Sequence, residues 1–335
     1  MKKRVLVTRE DLPGRGLERL SAAAELVAWP GSGKPGPAEL AALAPGASAV
    51  LALGNDAVDA ALLDAAGPSL RVVALASMGH DNVDVAAAAE RGVVATHTPG
   101  VLAETTADLT FALILAARRR LGAAGARLAG GGWDLFRMRD YLGLDIHGAT
   151  LGLVGYGQIG RAVARRAQGF GMRVLHHDPY AGEDSLSTAV GWESLLAESD
   201  IVSLHVPLTD ETRHLVSERE LAAMKPTATL VSTSRGGVVD EDALLRAVRE
   251  GRIHSAGLDV YEREPMGAAL SPLVAEENIV TLPHIGSATE STRAAMVDLA
   301  VDNILDVLAE RPARTALPGT PAVPGGSVPT TEASA

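Results

Sequence analysis

Three side chains in this sequence are of types that do chemistry and stand in settings that would let them. They are Arg235 in Ser234-Arg235-Gly236-Gly237, Glu264 in the stretch GLDVYEREP over residues 257–265, and His284 in Pro283-His284-Ile285-Gly286-Ser287. Each follows a short apolar run in a loop-like context. An arginine fork matches a carboxylate and the oxygen next to it. An imidazole titrates near neutrality, so it can both give and take a proton, and a carboxylate beside it favours the imidazolium. Next to a hydride source, these are the parts needed to reduce a 2-keto acid.

The hydride source is legible upstream. Residues 151–160, LGLVGYGQIG, read as a strand running into a G-x-G-x-x-G turn. Gly155 permits the tight turn, Gly157 lets backbone amides approach a diphosphate, and Gly160 lets the following helix pack closely. The diphosphate then sits at a helix N-terminus, where free N–H groups and the dipole favour anions. Asp178 stands 23 residues beyond Gly155, after a second strand, where an acid accepts from the adenosine ribose diol. A carboxylate there repels a 2′-phosphate, so NAD (NADH) is expected and NADP is disfavoured. His176 and His177 are not expected to share a metal, because adjacent residues on a strand face opposite ways; no metal site is expected elsewhere.

The elements that must position these groups alternate. Strands are expected at residues 4–7, 26–29, 49–53, 72–76 and 93–95, with helices at 16–24, 37–44, 56–65 and 84–91. One long helix is expected over 102–121, ending in a solvated run Arg118-Arg119-Arg120, followed by a Gly130-Gly131-Gly132 turn and an irregular stretch 133–144. From Thr150 a second series begins, with a helix over 161–169 and strands at 151–154, 173–176, 201–204, 229–232, 255–258 and 279–282. A last long helix spans 287–310, and the Pro-rich residues 312–335 are expected to be extended. Strands separated by helices imply parallel sheets, since parallel neighbours need crossovers.

Bulk properties narrow the class. At 335 residues two domains are favoured over one. A net charge of −11 argues against nucleic acid, and the absence of cysteine excludes disulfides and thiolate chemistry. The apolar run 109–117 is about half the ~20 residues a membrane span needs, and Val5-Leu6-Val7 is too short for a signal peptide core. A cytoplasmic protein with no membrane partner is expected.

The chain resembles the D-isomer-specific 2-hydroxyacid dehydrogenase family over residues 72–310, and within it the glyoxylate/hydroxypyruvate reductase branch. The resemblance rests on GVVATHTPG at 92–100, the glycine fingerprint, His205-Val206-Pro207-Leu208-Thr209, and the three segments quoted first. It implies an α/β fold of two domains, a Rossmann dinucleotide-binding domain (99–286) inserted in a flavodoxin-like parallel-sheet substrate domain (1–98 plus 287–315), with a Pro/Ala-rich tail at 316–335. It implies Arg235 as the substrate-binding arginine, His284 as acid/base and Glu264 as its partner. Backbone N–H groups of Met78 and Gly79 are implied to hold the substrate carboxylate, with Leu53 lining the pocket. Ser287 is implied either to touch substrate or nicotinamide, or to cap the last helix. The cofactor is implied to meet Gly155, Gly157, Gln158, Ile159, Gly160, Asp178, Val206, Pro207, Thr233, Ser234, Arg235, His284 and Gly286, with Asp259 receiving the nicotinamide carboxamide. Hinge closure and a homodimer, with residues 132–144 as the arm onto the partner, are implied as well.

The expected activity is NADH-dependent reduction of glyoxylate or hydroxypyruvate to the D-2-hydroxy acid. Other D-2-hydroxy acids, 3-phosphoglycerate and phosphite remain alternatives. Formate is disfavoured because the family's formate enzymes pair the histidine with glutamine. An NAD-sensing corepressor is the alternative of a different class.

Overall fold

Buried β-branched runs alternating with Ala/Leu-rich amphipathic stretches build two parallel sheets. The computed structural model describes residues 2–31, 33–182, 184–266 and 271–321. Two compact units divide the chain, one formed by the residues up to Leu102 together with those from Ser287 on, the other by Ala103–Gly286.

The first unit starts with strands β1 (Arg4–Val7), β2 (Glu25–Ala28), β3 (Ala49–Ala52), β4 (Val72–Leu75) and β5 (Val94–Thr96), connected through helices α1 (Gly16–Ala23), α2 (Pro37–Leu43), α3 (Ala60–Ala66) and α4 (Val85–Glu90). The strand order is β2-β1-β3-β4-β5, all parallel, which is the flavodoxin-like order. β3 and β4 are buried at every position because helices cover both faces of the sheet.

In the second unit α5 (Ala103–Arg118) and α6 (Leu121–Ala129) lead into β6 (Thr150–Val154), α7 (Gln158–Gly169), β7 (Arg173–His177) and the short β8 (Thr188–Ala189). α8 (Trp192–Glu198), β9 (Ile201–Leu204), α9 (Glu218–Ala223), β10 (Thr229–Ser232), α10 (Glu241–Arg249), β11 (Ser255–Leu258) and β12 (Ile279–Thr281) follow. The order β12-β11-β10-β9-β6-β7-β8 is parallel throughout and reverses between β6 and β9. A dinucleotide binds a doubly wound sheet at such a switch point, outside the carboxyl ends of the strands. α5 packs across β10 and β11, placing Phe111, Leu113 and Ile114 in a core shared with Leu151, Val163 and Val174. The chain then returns to the first unit through α11 (Glu290–Leu308), whose Val301 and Ile304 pack on Val5, Val7 and Leu20.

Several expectations need correction. The helix expected over 102–121 is borne out over Ala103–Arg118 but stops three residues early, and a second helix, which was not expected, starts at Leu121 after a break at Arg120, whose φ is 55°. The arginine run is not a uniformly solvated terminus either. Arg118 is 4 % exposed and donates to the carbonyls of Asp145 (3.1 Å) and Asp200 (2.8 Å). Its side chain is a buried cross-link.

Residues 56–59 are not helical. Asp59 is the N-cap of α3, accepting from the Leu62 N–H at 2.9 Å, while Asp56 is wholly buried and accepts from Thr8 Oγ1. The last helix starts at Glu290 with Thr289 as N-cap, so Ser287 does not cap it; its carbonyl instead accepts from the Thr289 N–H.

Part of the expected tail is docked. Thr315 brackets His97, Ala316 bridges Thr96, and Leu317 is 2 % exposed in the core. Burying one leucine is worth roughly 2 kcal/mol, enough to hold so short a segment. Residues 322–335 of that tail lie outside the described residues.

Candidate active site

β12 ends in a tight turn at His284. The His284 N–H donates to the Leu282 carbonyl at 3.1 Å, and its φ of 52° lies in the left-handed region. A non-glycine residue held there persists only when its surroundings impose it. The next two N–H groups supply that constraint: Ile285 and Gly286 donate to the two carboxylate oxygens of Asp259 at 2.8 and 2.7 Å. Asp259 is 1 % exposed, and burial pushes its carboxyl above the ordinary range against the pull of those bonds. Thr106 Oγ1 on α5 donates to the Gly286 carbonyl at 3.2 Å. The imidazole is thereby presented outward, with its side chain 48 % exposed.

Glu264 joins two segments. One oxygen accepts from the Tyr261 N–H at 2.7 Å, and the other lies 2.5 Å from His284 Nδ1. A carboxylate can only accept, so Nδ1 carries a proton and Nε2 is left to face outward. Tyr261 is a part that residue types alone do not mark. Its hydroxyl lies between the carbonyls of Leu282 (2.9 Å) and Leu258 (3.2 Å), its one proton shared between them, which ties the ends of β11 and β12 together, and burial pushes the phenol up.

Arg235 follows β10, and its Nη1 donates to the Ser234 carbonyl at 3.0 Å. A Cβ on Gly236 would fall 1.7 Å from the Tyr261 carbonyl oxygen. Only glycine lets the Arg235 loop touch the backbone that carries Glu264. The structure thus brings Glu264 and His284 into direct contact and sets the Arg235 loop against the same segment.

The fingerprint glycines divide by cause. A Cβ on Gly155 would approach the His205 carbonyl oxygen to 2.7 Å, and one on Gly160 the Gly155 carbonyl oxygen to 2.4 Å. The protein's own backbone therefore demands both. A Cβ on Gly157 would meet nothing within 4 Å. That space lies over the first turn of α7, which no side chain caps, and it is the approach a dinucleotide diphosphate requires. Gln158, Ile159 and Gly160 form that first turn. Asp178 is fixed at the end of β7 by the N–H groups of Tyr156 (2.7 Å) and Tyr180 (2.8 Å). Thr233 and Ser234 are nearly buried after β10, bonded to Thr110 and Ser232. Val206 is half-buried and Pro207 exposed beyond β9. These residues fit a dinucleotide at the β6/β9 switch point.

His205, beside Val206, has its Nε2 2.9 Å from Ser203 Oγ, and burial pushes its imidazole down to about 3. Since the unfolded chain binds this proton below about pH 6.5 and the folded chain does not, stability is complete above that pH. It declines as pH falls toward 3. Thermal melts across that window are expected to fall less steeply for His205→Gln than for the native chain; parallel curves would contradict this.

In the first unit Leu53 follows β3, with its N–H held by Asp56 Oδ2 at 2.9 Å and its carbonyl by Asn82 Nδ2 at 3.1 Å. Met78 and Gly79 follow β4 and are half-buried. Ser287 is the residue at which the chain re-enters this unit. Among the described residues, no group of His, Asp and Glu is arranged to hold a metal ion, and no helix is long and apolar enough to cross a membrane.

Two parallel sheets with a dinucleotide turn at one switch point and a Glu–His pair on the same unit define a nucleotide-dependent oxidoreductase. Known proteins agree: residues 111–286 match the NAD binding domain of the D-isomer specific 2-hydroxyacid dehydrogenases. The chain belongs to that family. It is 46 % identical over 310 residues to a glyoxylate reductase of Korarchaeum cryptofilum, covering 91 % of this chain and 92 % of that one. It is also 46 % identical over 259 residues to glyoxylate/hydroxypyruvate reductase B of Escherichia coli, with 76 % and 79 % covered. The NADPH-dependent glyoxylate/hydroxypyruvate reductase of Sinorhizobium meliloti, solved with NADP and malonate, superposes with a TM-score of 0.84 at 34 % identity. There, 98 % of this chain and all of that chain are covered.

Proposed function

We propose that this protein reduces a small 2-keto acid, glyoxylate or hydroxypyruvate first, to the D-2-hydroxy acid with NADH, and that His284 donates the proton. The observation that carries this reading is the 2.5 Å contact between His284 Nδ1 and Glu264, set on a dinucleotide-binding unit. The names of the relatives support the choice of substrate.

Gly155, Gly157 and the N–H groups of Gln158, Ile159 and Gly160 would hold NADH, which would supply the hydride for the carbonyl carbon. Arg235 holds the substrate carboxylate and the keto oxygen in its planar fork. The N–H groups of Met78 and Gly79 are further holders of the carboxylate in this reading, and Leu53 and Ser287 further substrate contacts. As negative charge develops on the keto oxygen, the Nε2–H of His284 transfers its proton there. Glu264 accepts from Nδ1–H and so fixes the ring with Nε2 left for the keto oxygen. In the oxidative direction the neutral Nε2 takes the proton back.

On the cofactor side, Val206, Pro207, Thr233, Ser234 and Gly286 line the cleft. Asp259 receives the carboxamide with the lone pairs that the Ile285 and Gly286 N–H groups leave over.

Asp178 selects NADH. Its carboxylate is pinned by two backbone N–H groups, accepts from a ribose diol, and repels a 2′-phosphate. Asp178→Ala is expected to narrow the kcat/KM preference for NADH over NADPH by about 10–100-fold, the ~1–3 kcal/mol of one close charge contact. An unaltered ratio would remove Asp178 from the cofactor reading. The substrate is tested by kcat/KM across glyoxylate, hydroxypyruvate, pyruvate and longer 2-keto acids. The two small substrates should lead, and a longer acid leading would overturn the assignment.

Homodimerisation is part of this reading. Leu128, Trp133, Phe136 and Met138, in and just after α6, are 60–80 % exposed. So much large apolar surface in one stretch is the mark of a partner-facing segment.

A further inference from the structure

The segment after β4 is gripped by the segment after β5 through two bonds, both ending on carbonyl oxygens. The Thr98 N–H donates to the Ser77 carbonyl at 2.8 Å, and His97 Nδ1 lies 2.8 Å from the Met78 carbonyl oxygen. A carbonyl only accepts, so Nδ1 carries the proton. In a trans peptide the C=O and N–H point in opposite directions. The Ser77 carbonyl shares its peptide with the Met78 N–H, and the Met78 carbonyl shares its peptide with the Gly79 N–H. Because both oxygens are turned toward residues 97–98, both N–H groups are turned away from them, side by side. Two successive N–H groups on one side of a turn form an anion-holding pair.

We propose that His97 is a positioning residue for substrate: by holding the Met78 carbonyl through Nδ1–H, it keeps the Gly79 N–H aimed at the carboxylate of the 2-keto acid. This rests on the reading of Met78 and Gly79 as carboxylate donors. Gly79 cannot impose the orientation itself, since without a Cβ its backbone has little steric resistance to rotation of that peptide. His97 can, because it is anchored independently. Its N–H donates to the Thr315 carbonyl at 3.2 Å, and its carbonyl accepts from Thr315 Oγ1 at 2.6 Å. Thr315 is tied in turn to Asn303 of α11 at 2.8 Å. The His80 ring stands edge-on to the His97 ring at 5.5 Å. Burial also pushes the His97 imidazole down, which keeps the ring neutral in one tautomer near pH 7.

The test compares His97→Asn with His97→Leu. Asparagine places Nδ2 on Cγ where histidine has Nδ1, so it retains the donor, whereas leucine retains comparable bulk without it. KM for glyoxylate, kcat, and the Kd for NADH by fluorescence titration are measured for each. His97→Leu should raise KM roughly 5–30-fold, the range expected for loss of one hydrogen bond that orients a charge contact. It should leave kcat within about threefold, since His97 takes no part in the proposed proton transfer, and the NADH Kd unchanged. His97→Asn should restore most of the KM. A native KM in His97→Leu, or a His97→Asn variant as impaired as His97→Leu, overturns the proposal.

If the leucine variant does not fold, His97→Gln replaces it. Its donor sits one carbon further out, so its KM must exceed that of His97→Asn, and equality overturns the proposal. Gly79→Pro, which deletes the N–H itself, separates the two levels. A native KM there overturns the carboxylate-loop reading and the His97 role with it. A raised KM there, with a native KM in His97→Leu, overturns only the role of His97.

Discussion

Replacing His284 by alanine is expected to lower kcat for 2-keto acid reduction by about 10²–10⁴, the usual share of general acid–base catalysis. Without Nε2–H the developing alkoxide loses its proposed proton donor and must be protonated by water. The loss should fall on kcat rather than KM, because the proposed reading gives the carboxylate to Arg235 and the 78–79 loop and not to His284. The fold should be intact: the backbone at 284 is held through Ile285, Gly286 and Asp259, and the Tyr261 N–H still engages Glu264. NADH binding should accordingly be unchanged.

Glu264→Gln should give a milder version of the same defect. The native carboxylate accepts from both the Tyr261 N–H and His284 Nδ1–H, and a glutamine has only one acceptor oxygen for those two donors. An alanine at position 284 with native kcat would remove the histidine from the chemistry.

Arg235→Ala is expected to reduce kcat/KM by about 10²–10³, the ~2.7–4 kcal/mol typical when one partner of a hydrogen-bonded charge pair is removed. Both KM and kcat should suffer, since the proposed reading gives the fork the keto oxygen as well as the carboxylate. Gly236 packs on the Tyr261 carbonyl whatever occupies position 235, so the loop should stay in place. Arg235→Lys should recover little, because an ammonium carries the charge without the bidentate geometry. Native kinetics in the alanine variant would place the substrate elsewhere.

The parts of the fold legible from sequence are those governed by local pattern. β9 and β10 run as the β-branched runs indicate, since strands buried on both faces read as largely apolar stretches. The glycine turn is legible because Gly155 and Gly160 are demanded by backbone atoms within the same strand-turn-helix neighbourhood and its adjoining strand. What failed depends on distant partners. Arg118 reaches carbonyls at 145 and 200, and an arginine run looks solvated until those carbonyls are in place. Asp56 looked like a helix start and proved to be the buried acceptor for Thr8 and Leu53. Leu317 looked like tail because the strand end it covers lies more than two hundred residues away.

The candidate site shows the same division. Arg235, Glu264 and His284 stand out by type and motif, but the residues that arrange them do not. Tyr261 tying two strand ends, Asp259 clamping the turn at 285–286, and His97 gripping Met78 all act through contacts across the sheet. None of them has a periodicity or spacing that marks its task.

The most direct test of the central claim is the product of one reaction. Purified protein is incubated with NADH and hydroxypyruvate, NADH consumption is followed, and the glycerate formed is resolved by chiral chromatography. The account predicts NADH consumed in step with D-glycerate. No NADH consumption, or L-glycerate as the product, would contradict it.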